Sequence, residues 1–291
     1  MGGLVAMIDN LTMIGFGEAG RSLVEGWRTV LPALRVQSYD IRVDDPAMQA
    51  AWREASVEGS ASPAWALADA EVVFCLVTAD QALAAARAGA PHLLPGALWL
   101  DGNSCSPGTK KRAAEAINGA GGRYVDLAIM SPILPKRHKT PMLLAGPAAN
   151  EAAGRLAALQ MNISVAGSVI GDASSIKMLR SVMIKGFEAL TAECLLAARR
   201  AGVEEAVLDS LQLSDPGIDW RARGSYNLER MRHHGTRRAA EMREVAATLR
   251  DLGLPDRLAA ATVEWQAQVG ASGAGGDDLT TQLDSILEAI A

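Results

Sequence analysis

Along the first half of the chain, short runs of apolar and β-branched residues alternate with alanine-rich stretches whose apolar positions recur every three to four residues. The runs suit buried strands and the stretches suit helices packed on a sheet, so the alternation is that of strands joined by crossover helices. Strands are predicted at Thr12–Gly15, Arg35–Tyr39, Glu71–Val77, Ala97–Asp101, Arg123–Ile129, Met142–Ala145 and Ile163–Val165. Helix starts are marked by Pro46 in "DDPAM", by "SPAW" at Ser62–Trp65 and by "SPGTKK" at Ser106–Lys111, because proline fits a first turn whose N–H groups lack helical partners. From Ala173 onward no strand-like run remains, and helix follows helix with breaks at "LSDPG" and "DLGLP". The pattern predicts an α/β unit over residues 1–168 and an all-helical unit over 169–291. After the glycine-rich loop Gly270–Gly276, Thr281 is the expected cap of a last short helix, with Asp284 three residues on.

The stretch from Ala173 to Gly202 is apolar around most of a helical circumference, through Ile176, Met178, Leu179, Val182, Met183, Ile184, Phe187, Leu190, Leu195 and Leu196. Such a helix is expected to be buried. With Lys177 at zero, Glu188, Ser181 and Lys185 fall at about 20°, 40° and 80° and Arg180 at about −60°, so the polar residues share a face. Lys185 and Glu188 are expected to form an ion pair at i, i+3. Lys177 lies near the helix start, where burial lowers a lysine pKa toward values useful for proton transfer, and it is the expected general acid or base. A helix of about thirty residues spans roughly 45 Å, more than one small domain needs, and a homodimer with interlocked helical domains is expected.

Gly15, Gly17 and Gly20 form G-x-G-x-x-G after the first predicted strand and at the opening of a helix. Asp40 ends the second strand in "VQSYD", twenty positions after Gly20. Strand, loop, helix and acid in this order are the signature of a Rossmann-type doubly wound sheet that binds a dinucleotide. Gly15 permits the tight turn, Gly17 the approach of a pyrophosphate, and Gly20 the packing of helix on strand. Phe16, Glu18 and Ala19 complete the loop whose N–H groups meet the phosphates. Asp40 is expected to accept from the adenosine ribose hydroxyls, which favours NAD, while Arg42 two residues later keeps NADP possible. Val77 and Thr78, in the loop after another strand, are expected to face the cofactor.

Composition narrows the remaining classes. The chain has 291 residues, 49% hydrophobic and 21% charged, enough for two cores. A net charge of −5 without a basic block gives no surface for nucleic acid. The N-terminal "MGGLVAMIDN" lacks the basic and apolar regions of a leader, and no apolar run reaches membrane-spanning length, so a cytoplasmic protein that engages no membrane is expected. Cys75, Cys105 and Cys194 form no C-x-x-C pair and lie far from His233 and His234, so no metal site is expected.

The glycine loop, "DGNSCSP" at Asp101–Pro107 and "GDASSIKMLRS" at Gly171–Ser181 occur in the order and approximate spacing of the β-hydroxyacid dehydrogenases, and the chain resembles that family from about residue 11 to 250. "RRAAEMREVAATLRDLGLP" at Arg237–Pro255 is similar to a branch whose C-terminal helical domain has no assigned function. The resemblance implies that Asn103 and Ser104, in the place of the family's D-x-S-T-x-x-P, hold the substrate's acid group, and that Lys177 is the catalytic lysine. Ser181, preceded by Arg180, stands where the family has asparagine. His233 or Arg237, in the basic stretch "MRHHGTRR", is placed by the resemblance to contact an anionic substrate. After the sixth strand the family continues D-A-P-V-S-G-G, whereas this chain reads "DLAIMSPI", with Met130, Ser131 and Pro132 in the glycine positions. A pocket of different shape and lower polarity follows from that departure. The expected activity is an NAD(P)-dependent oxidoreductase moving hydride to or from a hydroxyl-bearing carbon of a small acidic substrate. An imine or ketone reductase using the same cofactor site is the alternative enzyme, and a non-catalytic dinucleotide sensor is the alternative of another class.

Overall fold

The computed structural model describes Ile8 and residues 10–290. The chain divides into two compact units, Met1–Met178 and Leu179–Ala291.

The first unit is an eight-stranded sheet with helices between its strands. Its elements run β1 (Leu11–Ile14), α1 (Glu18–Val30), β2 (Val36–Tyr39), α2 (Pro46–Glu54), β3 (Glu58–Gly59), α3 (Pro63–Leu67), β4 (Val72–Cys75), α4 (Ala82–Gly89), β5 (Leu98–Asp101), α5 (Pro107–Gly119), β6 (Arg123–Ile129), β7 (Met142–Ala145), α6 (Ala149–Ala157) and β8 (Ile163–Gly167). The strand order is β3-β2-β1-β4-β5-β6-β7-β8, so the order reverses beside β1, as in a doubly wound nucleotide-binding sheet. The β6–β7 pair is antiparallel, and the other pairs are parallel.

The seven predicted strands are present with small differences at their ends. All four residues of β1, β4 and β5 are buried, as expected of parallel strands covered on both faces. Alternate residues feed two cores: Leu11, Met13, Val72, Phe74, Leu98 and Leu100 enter one, Ile14, Val73, Cys75 and Trp99 the other. The unpredicted β3 is two exposed residues with no apolar signature. A Cβ on its Gly59 would lie 2.2 Å from the Trp52 ring, so glycine there makes room for a core side chain. The proline starts behave as read: Ser62 and Ser106 cap α3 and α5 with Pro63 and Pro107 just inside, and Asp45 caps α2 ahead of Pro46.

The helix α7 (Asp172–Arg200) follows. Composition shifts at 168–172, but the compact units divide after Met178, because the first turn of α7 is bonded to the sheet through Asp126.

The second unit contains the rest of α7, α8 (Glu204–Ser214), α9 (Trp220–Asp251), α10 (Arg257–Ala271) and α11 (Leu279–Ala289). Leu195, Leu196, Leu208, Leu228, Met231 and Val269 are among its core residues. At Gly235 on α9 a Cβ would lie 2.2 Å from the Gln266 carbonyl oxygen, and at Gly270 on α10 one would lie 2.6 Å from the Thr236 nitrogen, so two backbones meet where both helices carry glycine.

Three expectations are corrected here. The α7 helix is not buried all round: Leu179, Met183, Ile184 and Leu190 are exposed, whereas Ser181, Lys185 and Glu188 are buried. Lys185 and Glu188 do not pair with each other. Lys185 Nζ lies 2.8 Å from Glu241 Oε2, while Glu188 takes two contacts from Arg238 Nη1 at 2.7 and 2.8 Å and one from Gln266 Nε2 at 2.8 Å. The polar stripe faces inward because α9 and α10 supply its partners. Finally, Asp278 rather than Thr281 caps α11, and Thr281 closes a capping box from the third helical position. No helix among the described residues is long and apolar enough to cross a membrane.

Candidate active site

The glycine loop sits between β1 and α1, where the sheet order reverses. Gly15 has φ +88°, and a Cβ there would stand 2.5 Å from the Leu76 carbonyl oxygen, so the turn and the neighbouring strand both require glycine. At Gly20 a Cβ would lie 3.1 Å from the Gly15 oxygen, which sets the close packing of α1 on the loop. Gly17 is the N-cap of α1 with no side-chain cap, and nothing lies within 4 Å of a Cβ built on it. Gly17 therefore stands beside open space at the positive end of a helix that no side chain caps. Those features fit a dinucleotide's pyrophosphate.

Asp40 is drawn into the same loop. Its Oδ2 accepts from the Phe16 N–H at 2.8 Å, and its Oδ1 accepts from the Arg42 N–H at 3.0 Å and from Arg42 Nε at 3.3 Å. Burial opposes ionisation of this carboxyl, but the bonds from Phe16 and Arg42 outweigh it and hold the pKa below the usual aspartate value. Asp40 stays charged while fixing the loop.

The strand ends on the other side of β1 carry the second group. Asn103 is buried; its Oδ1 accepts from the Val77 N–H at 2.7 Å, tying the loop after β4 to the loop after β5. Its amide nitrogen donates to Asp101 Oδ1 at 2.7 Å and to Cys75 Sγ at 3.4 Å. Both amide hydrogens of Asn103 thus point inward, which differs from the expected donor to substrate. Thr78 is exposed and starts a short helical turn at Ala79–Gln81. Ser104, the next residue after Asn103, is half-buried, and its Oγ accepts from Lys177 Nζ at 2.7 Å.

Beneath this pair lies a charge network that the sequence reading missed. Lys110, fully buried on α5, bonds to the Asp101 carbonyl and to Asp101 Oδ1 at 3.0 Å, and lies 3.5 Å from Asp126 Oδ1. Tyr124 donates its hydroxyl to Asp101 Oδ2 at 2.7 Å. Asp126 Oδ2 accepts from the Gly171 N–H at 3.2 Å and from the Ser174 N–H and Oγ at 2.9 Å each. Burial alone drives the Lys110 amine toward neutrality, but Asp101 and Asp126 outweigh it and raise its pKa above the ordinary lysine value. Burial, reinforced by the same carboxylates, pushes the Tyr124 phenol well up, and burial pushes the Cys75 thiol up. Two signals in the sequence point to the network. Lys110 begins the buried stripe Lys110, Ala113, Ala114, Ile117 on α5, and Asp126 interrupts an apolar strand in which an unpaired carboxylate is costly.

The first unit therefore brings together Gly15, Gly17, Gly20, Phe16 and Asp40, then Val77 with Asn103, then Ser104 with Lys177. Arg180, Ser181 and His233 belong to the second unit. Ser181 is buried and its Oγ accepts from Lys185 Nζ at 3.3 Å, whereas Arg180 and His233 are exposed on α7 and α9. Arg237 pairs with Glu241 at 2.5 Å. No group of three or more metal-binding side chains occurs among the described residues.

A family model described as the NAD binding domain of 6-phosphogluconate dehydrogenase matches residues 10–159, and one described as a domain of unknown function (DUF1932) matches residues 198–269. The chain is similar to a conserved hypothetical protein from Sinorhizobium meliloti 1021, with TM-score 0.78 and 40% identity over 98% of this chain and 96% of that one. It is also similar to a conserved protein of unknown function described as structurally similar to 3-hydroxyacid dehydrogenases, with TM-score 0.70 and 31% identity over 89% of this chain and 96% of that one. An uncharacterized 28.5 kDa protein of Methanothermus fervidus is 30% identical over 144 residues, which are 50% of this chain and 54% of that protein, so the match spans about half of the curated relative.

Proposed function

We propose, from the premise that this chain belongs to the family defined by the NAD binding domain of 6-phosphogluconate dehydrogenase, that it is an oxidoreductase in which bound nicotinamide exchanges hydride with a hydroxyl-bearing carbon of a small substrate. The observation that carries the reading is the contact between Lys177 Nζ and Ser104 Oγ, 2.7 Å long, in the unit that holds the glycine loop. Gly17 and the first N–H groups of α1 meet the pyrophosphate, Gly15 and Phe16 form the turn with their own N–H groups held by Tyr39 and Asp40, and Asp40, each of whose oxygens already accepts a bond within the chain, turns its remaining lone pairs to the ribose. Lys177 takes or gives the hydroxyl proton at Nζ, and Ser104 orients both the amine and the substrate oxygen. Val77 and Thr78 border the cofactor.

The test is a fluorescence titration with NADH and NADPH, using wild type and Asp40→Asn, which keeps an oxygen for the Phe16 N–H but removes the charge. NADH is expected to bind more tightly than NADPH, and the preference narrows in the variant. Lys177→Met is expected to leave NADH affinity within about twofold and to lower turnover by about 10² to 10⁴, the range for losing a general acid or base. Binding of neither nucleotide overturns the reading.

The inward amide of Asn103 favours a second reading, because it leaves Ser104 as the side-chain donor of that pair and weakens recognition of a carboxylate. An imine or uncharged ketone then replaces the hydroxy acid. Turnover of cyclic imines with none of hydroxy acids selects it.

We further propose a homodimer formed through α7. Leu179, Met183, Leu190 and Cys194 are exposed and fall within an arc of roughly 60° on that helix, a continuous apolar stripe of the kind that marks an interface.

A further inference from the structure

The contact between Ser104 and Lys177 joins residues 73 positions apart, and neither side chain is held from its own element alone. Ser104 follows Asn103, whose backbone N–H and amide both bond Asp101 Oδ1 at 3.0 and 2.7 Å. Lys177 lies one turn beyond Ser174, whose N–H and hydroxyl both bond Asp126 Oδ2. One carboxylate therefore fixes the Ser104 loop, and another fixes the first turn of the helix that carries Lys177. Both carboxylates are fully buried, and buried anions so close together repel unless a cation stands between them. Lys110 is that cation, with no exposure of its own and contacts to both.

We propose that Lys110 is a positioning residue: by balancing Asp101 and Asp126 it holds Ser104 and Lys177 in register for proton transfer. The inference rests on the catalytic reading of Lys177 given above, and it extends the site inward to a group that touches neither cofactor nor substrate. Asp126 acts as a cap supplied to α7 from β6, Tyr124 fixes the far oxygen of Asp101, and Lys110 couples the two anchors. A plain packing role for Lys110 would leave the local electrostatics of Lys177 unchanged when the cation is replaced by an apolar chain of similar length.

The experiment reads Lys177 directly and needs no substrate. The chain has six lysines, and competitive acetylation of the full chain with acetic anhydride across pH, followed by peptide mass spectrometry, gives a titration midpoint for each accessible amine. In Lys110→Met the Lys177 midpoint is expected to rise by about half a pH unit or more, because the cation balancing two nearby carboxylates is gone. Exposed Lys136 serves as the internal control and does not move. Lys111, whose side chain lies against Gly171, is resolved as a separate site. Adding Asp126→Asn to Lys110→Met removes one carboxylate and returns the midpoint toward wild type. Should Lys110→Met fail to fold, Asp126→Asn alone is the decisive arm: it keeps an oxygen for Ser174, and the midpoint moves down. A Lys177 profile that is the same in wild type and in the folded variant overturns the proposal. NADH titration of the same samples keeps the two readings apart, since loss of nucleotide binding in wild type sinks the dehydrogenase while an unmoved Lys177 sinks only the role of Lys110.

Discussion

Gly15 and Gly17 stand two residues apart in one loop, yet a methyl group would meet opposite surroundings at each. At Gly15 it meets the Leu76 carbonyl oxygen at 2.5 Å and carbonyl carbon at 2.9 Å on a backbone with φ +88°, and a backbone carbonyl in the sheet cannot swing aside as a flexible side chain would. Gly15→Ala is therefore expected to cost about 2 kcal/mol or more in urea unfolding, from strain and overlap together. Gly17→Ala meets nothing within 4 Å, so its stability is expected to stay within about 0.5 kcal/mol of wild type. Its NADH affinity, by contrast, falls at least tenfold if a pyrophosphate occupies that space. Stability and affinity both unchanged in Gly17→Ala would make the loop a turn and nothing more. That these glycines and Asp40 share one loop was legible in the sequence from their spacing after a strand. Lys110 was not, since a lysine in "GTKK" reads as solvated until the apolar stripe it begins is laid on a buried face.

The α7 helix shows where periodicity stops being informative. Its sequence separates a polar stripe from an apolar one, and that separation is present in the structure. Which stripe turns inward depends on partners from other helices, and α9 provides Arg238 and Glu241 while α10 provides Gln266. The pairing at i, i+3 inferred for Lys185 and Glu188 gave way to these contacts because each buried charge needs its own counterion. Burial pulls the Arg238 guanidinium below its ordinary pKa and the Glu188 carboxylate acts against that pull. Glu188→Ala strands Arg238 without its carboxylate and is expected to cost about 3 to 5 kcal/mol in chemical denaturation. The double change Glu188→Leu with Arg238→Met, which removes both charges, should recover most of that loss. A single variant as stable as wild type would mean that water replaces the pair. Strand positions were legible for a complementary reason: parallel strands covered on both faces must be apolar throughout, whereas the two exposed residues of β3 had no such constraint.

For the molecule as a whole, the inverted helix bears on assembly. Length alone suggested that α7 exceeds what one domain uses, but the face involved emerges only from exposure: Met183 is 73% exposed and Leu190 63%, with Leu179 at 42%. Large apolar side chains in one exposed stripe, on a helix that buries Ser181, Lys185 and Glu188, are the face proposed to meet a second copy of the chain. Static light scattering at micromolar concentration is expected to give twice the chain mass, and Met183→Glu combined with Leu190→Glu to give the single mass with helix content unchanged by circular dichroism. Cys194 supplies an independent readout, because it is the exposed cysteine, whereas Cys75 and Cys105 are buried. Iodoacetamide should modify Cys194 slowly in the wild type, where the dimer shields it, and at least tenfold faster in the double variant. A wild type that scatters as a monomer, or a double variant that still scatters as a dimer, would exclude α7 as the interface.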